Sequence, residues 1–242
     1  MPSQNKPIVT TNRYEELIRG FIEAGYEFKA FGKEAVGKTM FLRHDIDFCL
    51  HRALEVAKTN KKLGVTGTFF IMASGFAYNL LDKENQDLVR QIRDNDQIIS
   101  LHYDPTVYDD IQRGFEIEKN LFDGLFEEDI KVISIHRPGP FLDENNTRLG
   151  ECEHTYMDKY FNDIKYCSDS GGRFKYGHPY ETEAFKSEQP IHLLLHPVWW
   201  THDLNTPTEF LLNWQEEVAY RTIDKTLDNC KTFDKKAFWE TA

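Results

Sequence analysis

No apolar run in this 242-residue chain approaches the ~18 to 20 residues that span a bilayer. The hydrophilic start from Met1 to Thr11 also lacks an apolar signal-peptide core, so the sequence reads as soluble, unexported and cytoplasmic. Base is scarce beside acid: 29 Lys and Arg against 40 Asp and Glu leave a formal charge of −11, which argues against nucleic acid as a partner. Cysteine is sparse, with Cys49, Cys152, Cys167 and Cys230 widely separated and no Cys-x-x-Cys pair. That excludes a disulfide framework or zinc-cysteine cluster and leaves reduced thiols. No Ser/Pro/Gly linker, repeat or low-complexity tract interrupts the chain, so residues 1–242 read as a single domain.

Aromatic residues, in contrast, make up 14% of the chain. Many stand beside histidine, proline or glycine, and aromatic rings suit the apolar faces of sugars as well as a core. Periodicity predicts a helix over Tyr14–Ala24, capped by Thr11 and Asn12, then a short strand at Phe28–Phe31 and a buried strand at Met40–Ile46. Helix Leu50–Leu63, stopped by Gly64, leads to strand Thr66–Met72. Helix Asn85–Asp94 precedes strand Ile98–His102, and helix Asp109–Leu125 precedes strand Lys131–His136. Strands at Lys165–Ser168 and His192–His196, long loops at Phe141–Lys159 and Gly171–Gln189, and a helical segment over 207–233 complete the chain. Such alternation specifies an α/β fold with a mostly parallel sheet, open or closed into a barrel.

One apparent motif fails on context. Gly32 to Thr39 spells a phosphate loop, but such a loop must open a helix, whereas Thr39 runs directly into the strand-like Met40-Phe-Leu-Arg-His. A turn between strands accounts for its glycines. Asn145-Asn146-Thr147 fits a glycosylation acceptor, which an intracellular chain never presents to that machinery.

The informative residues cluster at predicted strand C-termini: Arg43-His44-Asp45-Ile46-Asp47, Leu101-His102-Tyr103-Asp104, Ile135-His136-Arg137-Pro138, Ser168-Asp169-Ser170 and Leu195-His196-Pro197-Val198-Trp199-Trp200. In parallel α/β folds those ends share one edge of the sheet, where active sites are assembled. Asp45 and Asp47, two apart on an extended strand, share a face, so one carboxylate can ligate a metal while the other acts as a base. His102 and His136 add imidazole, and an oxygen and nitrogen ligand set suits zinc or another first-row divalent ion. His51, His154, His178, His192 and His202 read as structural or surface histidines.

From Met40 to Trp200 this ordered set resembles the polysaccharide deacetylase family, also called the NodB-homology or carbohydrate esterase family four group. His44-Asp45-Ile46-Asp47 is similar to its first motif in Asp-x-Asp form, and Gly67-Thr68-Phe69-Phe70 to its Ala-Thr-Phe-Phe strand. Arg137-Pro138, Ser168-Asp169-Ser170 and Leu195-His196 resemble the third, fourth and fifth motifs. The resemblance implies a distorted (β/α) barrel and a divalent-metal enzyme that removes acetyl groups from sugars. It assigns Asp45 as base, Asp47 and His102 as metal ligands, Arg137 as the arginine holding Asp45, His196 as general acid, and Asp169 as a residue orienting that region. Tyr103, Trp199 and Trp200 become candidate substrate contacts. The second motif departs from the family: Thr106 stands where a second ligating histidine is expected, and His136 or Asp104 must replace it, His136 preserving the ligand type.

The expected function is therefore hydrolysis of an acetyl or related acyl group from an amino sugar, nucleotide sugar or lipid-linked sugar. One divalent metal serves it, zinc foremost, with cobalt, nickel, manganese or iron as alternatives. The motif style is closest to deacetylase-like proteins of surface-polysaccharide and lipopolysaccharide biosynthesis. The competing expectation, suggested by Thr106, is a non-catalytic carbohydrate-binding or assembly protein that kept the barrel and lost the metal.

Overall fold

A computed structural model describes residues 11–144, 147–234 and 237. Contacts divide the chain into two compact units, one within Ile8–Asp203 and another carrying the segment from Leu204. The second unit contains one long helix, α8 (Pro207–Asn229), whose start is set by Pro207 in the first turn and by Thr206, which accepts from the Glu209 amide. No helix among the described residues is long and apolar enough to cross a membrane.

In the first unit, α1 (Asn12–Glu23) buries Tyr14, Leu17, Ile18 and Phe21, a stripe at helical spacing. Thr11 is its N-cap but makes no side-chain cap bond, contrary to expectation; its backbone amide instead donates to the Trp200 carbonyl at 2.8 Å. Beyond β1 (Glu27–Phe28), Thr39 opens the strand β2 (Thr39–Ile46), so the glycine-bearing segment before it is a turn and no phosphate loop. There follow α2 (Leu50–Leu63), β3 (Thr68–Ile71), α3 (Lys83–Asp94), β4 (Ile98–Tyr103), α4 (Ile111–Phe126) and β5 (Val132–Ile135). Gly64 ends α2 at φ +71°, the left-handed conformation that glycine adopts without a Cβ clash. The predicted loops contain short elements: α5 (Gly139–Glu144), β6 (Glu153–His154) and α6 (Asp158–Phe161), then, after β7 (Lys165–Ser168), α7 (Glu183–Lys186). Strand β8 (Ile191–Leu195) closes the series.

The strands form a parallel, curled sheet in the order β6-β5-β4-β3-β2-β8-β7, with β1 paired to β2 off that path. No pairing joins β6 to β7 among the described residues, so the barrel is open. All eight residues of the central β2 are buried, as a parallel strand covered on both faces requires. Its alternation divides the interior. Met40, Leu42 and Ile46 join Phe69, Ile71, Leu101, Ile135 and Leu193 in the main core, while Phe41 packs with Phe31, Phe70 and Tyr160 in a smaller cluster. Above Phe41 on the same face come Arg43 and Asp45, so the small aromatic cluster forms the floor beneath a charged layer. On the opposite face, His44 stacks on Phe69 with ring centroids 4.3 Å apart and donates from Nε2 to the Tyr14 hydroxyl at 2.9 Å. That hydroxyl in turn donates to Asn60 Oδ1, and burial pushes His44 down to about 3, so it is neutral and structural.

Candidate metal and hydrolytic site

The parallel register brings the C-terminal ends of β2, β4, β5, β7 and β8 together, and with them Asp45 and Asp47, His102, His136, Asp169 and His196. At the centre three ligand-type atoms face one another. Asp47 Oδ1 lies 3.2 Å from His102 Nε2 and 3.7 Å from His136 Nδ1, and the two nitrogens are 3.2 Å apart. Asp47 Oδ1 is buried without an aligned hydrogen bond, as is His102 Nδ1 on the far side of its ring. A tetrahedral ion bound at about 2.0 to 2.1 Å separates its ligand atoms by about 3.3 to 3.4 Å, so this triangle fits a divalent metal. Burial opposes ionisation of Asp47, but the hydrogen-bonding nitrogen of His102 and the positive charge of His196 outweigh it and lower its pKa. Burial and the neighbouring His102 lower that of His136, which favours the neutral, ligating imidazole.

Asp45 lies beneath this triangle, its Oδ2 3.5 Å from His102 Nε2. Arg43, two residues earlier on the same strand face, donates from Nε and Nη2 to the two carboxylate oxygens at 2.8 and 2.6 Å. Both residues are almost fully buried. Burial alone would raise the Asp45 pKa, and the guanidinium overrides it, holding the carboxyl well below the usual range. Arg43 Nη2 also donates to Ser134 Oγ at 2.5 Å, and its guanidinium carbon lies 4.8 Å from the centre of the Tyr156 ring. Arg43 thus performs the role expected of Arg137. The Arg137 side chain is 62% exposed and lies 3.8 Å from Asp104 Oδ2, so it does not pair with Asp45. The period-2 alternation that aligned Asp45 with Asp47 also aligns Arg43, which is the signal that could have identified it.

On the other side, His196 Nδ1 is 2.6 Å from Asp169 Oδ1, and its Nε2 faces the centre at 3.8 Å from Asp47 Oδ2. The His196 backbone amide donates to both Asp169 oxygens, and Trp200 Nε1 donates to Oδ2 at 2.6 Å. Burial would lower the imidazolium pKa, but Asp169, then Asp47 and Asp45, raise it to about 9. This arrangement holds a proton on Nε2, aimed at the centre. Thr106 donates from its amide and hydroxyl to Asp104 Oδ1, making a turn rather than offering a ligand. His136 is the residue that lies with Asp47 and His102 in a group able to hold a metal, while Asp104 Oδ2 lies 4.0 Å from His136 Nε2. Tyr103 is not a substrate contact: it is fully buried in the main core, its hydroxyl donating to the Ile111 carbonyl at 2.7 Å. Trp200 is half-buried and engaged with Asp169, while half-buried Trp199 faces Phe48 at a 6.4 Å centroid separation.

No family model and no curated protein matches the sequence. Among solved structures, the chain is similar at 15% identity to a chitin deacetylase from the fungal pathogen Colletotrichum lindemuthianum, covering 76% of this chain and 85% of that one, with a TM-score of 0.45. A family 4 carbohydrate esterase from Bacillus anthracis is 14% identical over 90% of this chain and 93% of its own, at a TM-score of 0.40. A CE4 family pseudoenzyme from the same organism is 14% identical over 75% of this chain and 62% of its own, at 0.42.

Proposed function

We propose that this protein is a metal-dependent hydrolase that removes an acetyl or related acyl group from an amino sugar or sugar intermediate. The observation that carries the reading is the triangle of Asp47, His102 and His136, flanked by a charge-paired carboxylate and a proton-bearing imidazole. Asp47, His102 and His136 would hold the divalent ion, zinc first among the candidates, which when bound polarises the acyl carbonyl and lowers the pKa of water.

Asp45 is the base in this scheme, its anionic state and orientation fixed by Arg43 and supported by Ser134. Pairing with Arg43 lowers its proton affinity, so it holds the water's proton only transiently and must release it within the turnover. His196, charged through Asp169, donates from Nε2 to the departing amine. Asp169 and the Trp200 indole keep the imidazole turned toward the centre. Placing the substrate as a nucleotide-linked or lipid-linked sugar of surface-polysaccharide assembly, met in the cytoplasm, rests on motif resemblance alone.

A second reading draws on one observation: the two-point grip of Arg43 on Asp45 makes a permanent anion and a weak base, as a sugar-binding protein without turnover could tolerate. Acetate release measured over a panel of N- and O-acetylated sugars, with protein whose metal content has been determined, separates the two. Release that disappears in Asp45→Asn while metal is retained supports the hydrolase. No release across the panel, whatever the metal content, supports the binder.

A further inference from the structure

A second cavity lies along the free edge of the sheet, outside the metal centre. It encloses about 260 Å³ beside β7, the terminal strand, and is lined by Lys165, Ser168, Ser170, Lys175 and Tyr176 among others. In a chain of net charge −11, two lysines line it, and neither forms an ion pair among the described residues. Ser168 and Ser170 add hydroxyls, their oxygens 2.6 Å apart. The Tyr176 side chain is 83% exposed, with Lys175 Nζ 5.4 Å from its ring centre. A large ring so exposed, beside the Lys175 ammonium and in a cavity also lined by Lys165 and two serines, matches a ligand with an apolar sugar face and an anionic substituent.

The cavity is also tied to the dyad of the main site. Ser168 and Ser170 flank Asp169 in the chain, and the amides of Gly172 and Arg173 donate to the Asp169 carbonyl at 2.8 and 3.1 Å. The loop bearing Lys175 and Tyr176 is anchored through Phe174, whose ring lies 6.3 Å from that of Trp200, the indole that donates to Asp169. Gly171 and Gly177, at φ +72° and +93°, make the turns at its two ends.

We propose that this edge cavity is a saccharide subsite for an anionic sugar, its phosphate or carboxylate held by Lys165, Lys175 and the two serines, and its ring laid on Tyr176. The proposal rests on the hydrolase reading only in making that sugar part of the substrate; binding itself requires no metal and no turnover.

The test is titration of the isotope-labelled full-length protein, as purified, with glucose 6-phosphate, glucuronate, inorganic phosphate and glucose, followed by NMR amide shifts. The expected result is saturable shifts over Lys165–Gly177 with at least one anionic sugar. Lys165→Ala/Lys175→Ala should weaken that affinity by about tenfold or more, Tyr176→Ala should weaken it less, and glucose should give no such shifts. Saturation by the phosphate sugar alone, or by glucuronate alone, supports the proposal and assigns the anion. Absence of saturable shifts, affinity unchanged in the double variant, or inorganic phosphate binding as tightly as the phosphate sugar would overturn it. Loss of metal chemistry leaves this readout intact, because a ligand held at the metal centre shifts residues around Asp47 and survives the lysine substitutions.

Discussion

At the scale of single residues, the proposed mechanism separates groups that would hold a metal from groups that would move protons, and the two sets give different mutant signatures. Asp45→Asn should lower kcat by about 10² to 10⁴ while metal content is unchanged, which metal analysis beside an acetate-release assay will show. Asp47→Asn should lose activity and metal together. Arg43→Met leaves the Asp45 carboxylate buried without its partner, and removing one member of a buried pair costs about 3 to 5 kcal/mol, readable by urea denaturation. His196 owes its raised pKa to Asp169, so Asp169→Asn should shift the alkaline limb of the pH–rate profile to lower pH. The linked stability runs in the same sense. Because its folded pKa is raised, the stabilisation from this pair is fully present below the unfolded value of about 6.5 and is lost as pH rises through about 9. Denaturation midpoints across that window should lose this dependence in Asp169→Asn.

At the scale of elements, the packing where the chain enters β3 beside β2 is close enough to predict a substitution. A Cβ at Gly67 would stand 3.0 Å from His44 Cε1 and 3.1 Å from its Nδ1, and His44 is pinned by Tyr14 and stacked on Phe69. Gly67→Ala should cost about 1 to 3 kcal/mol by overpacking, measured by denaturant melts. The elements themselves were largely legible in the sequence: α2, β7 and the order of strands and helices follow from periodicity and from stops such as Gly64. Legibility ended where tertiary contacts override local signals. Thr11 has the side chain of a cap but places its amide on Trp200, and Tyr103 beside His102 points, by strand alternation, into the core. The aspartates and His102 were visible because chemistry-bearing types stood at strand ends. The partnership of Arg43 with Asp45 was hidden because resemblance pointed to Arg137, whose strand end directs it toward Asp104.

At the scale of the whole molecule, an open parallel sheet brings ligand-type side chains together from three strand ends that are distant in the chain, so metal binding at the proposed site would be coupled to folding. A metal that binds only the folded state adds stability by mass action, about 2.7 kcal/mol at one hundred times its Kd, so added zinc should raise the Tm and a chelator should reverse the rise. His136, reaching in from the end of β5, is the residue on which the account turns, because the proposed site gives it the place of the histidine that Thr106 does not supply. The most direct test is elemental analysis of the protein purified without chelator, alongside His102→Ala and His136→Ala. The account predicts about one divalent ion per chain in the wild-type protein and its loss in both variants. Metal retained in His136→Ala, or none bound by the wild-type protein on addition of zinc, manganese or cobalt, would contradict it.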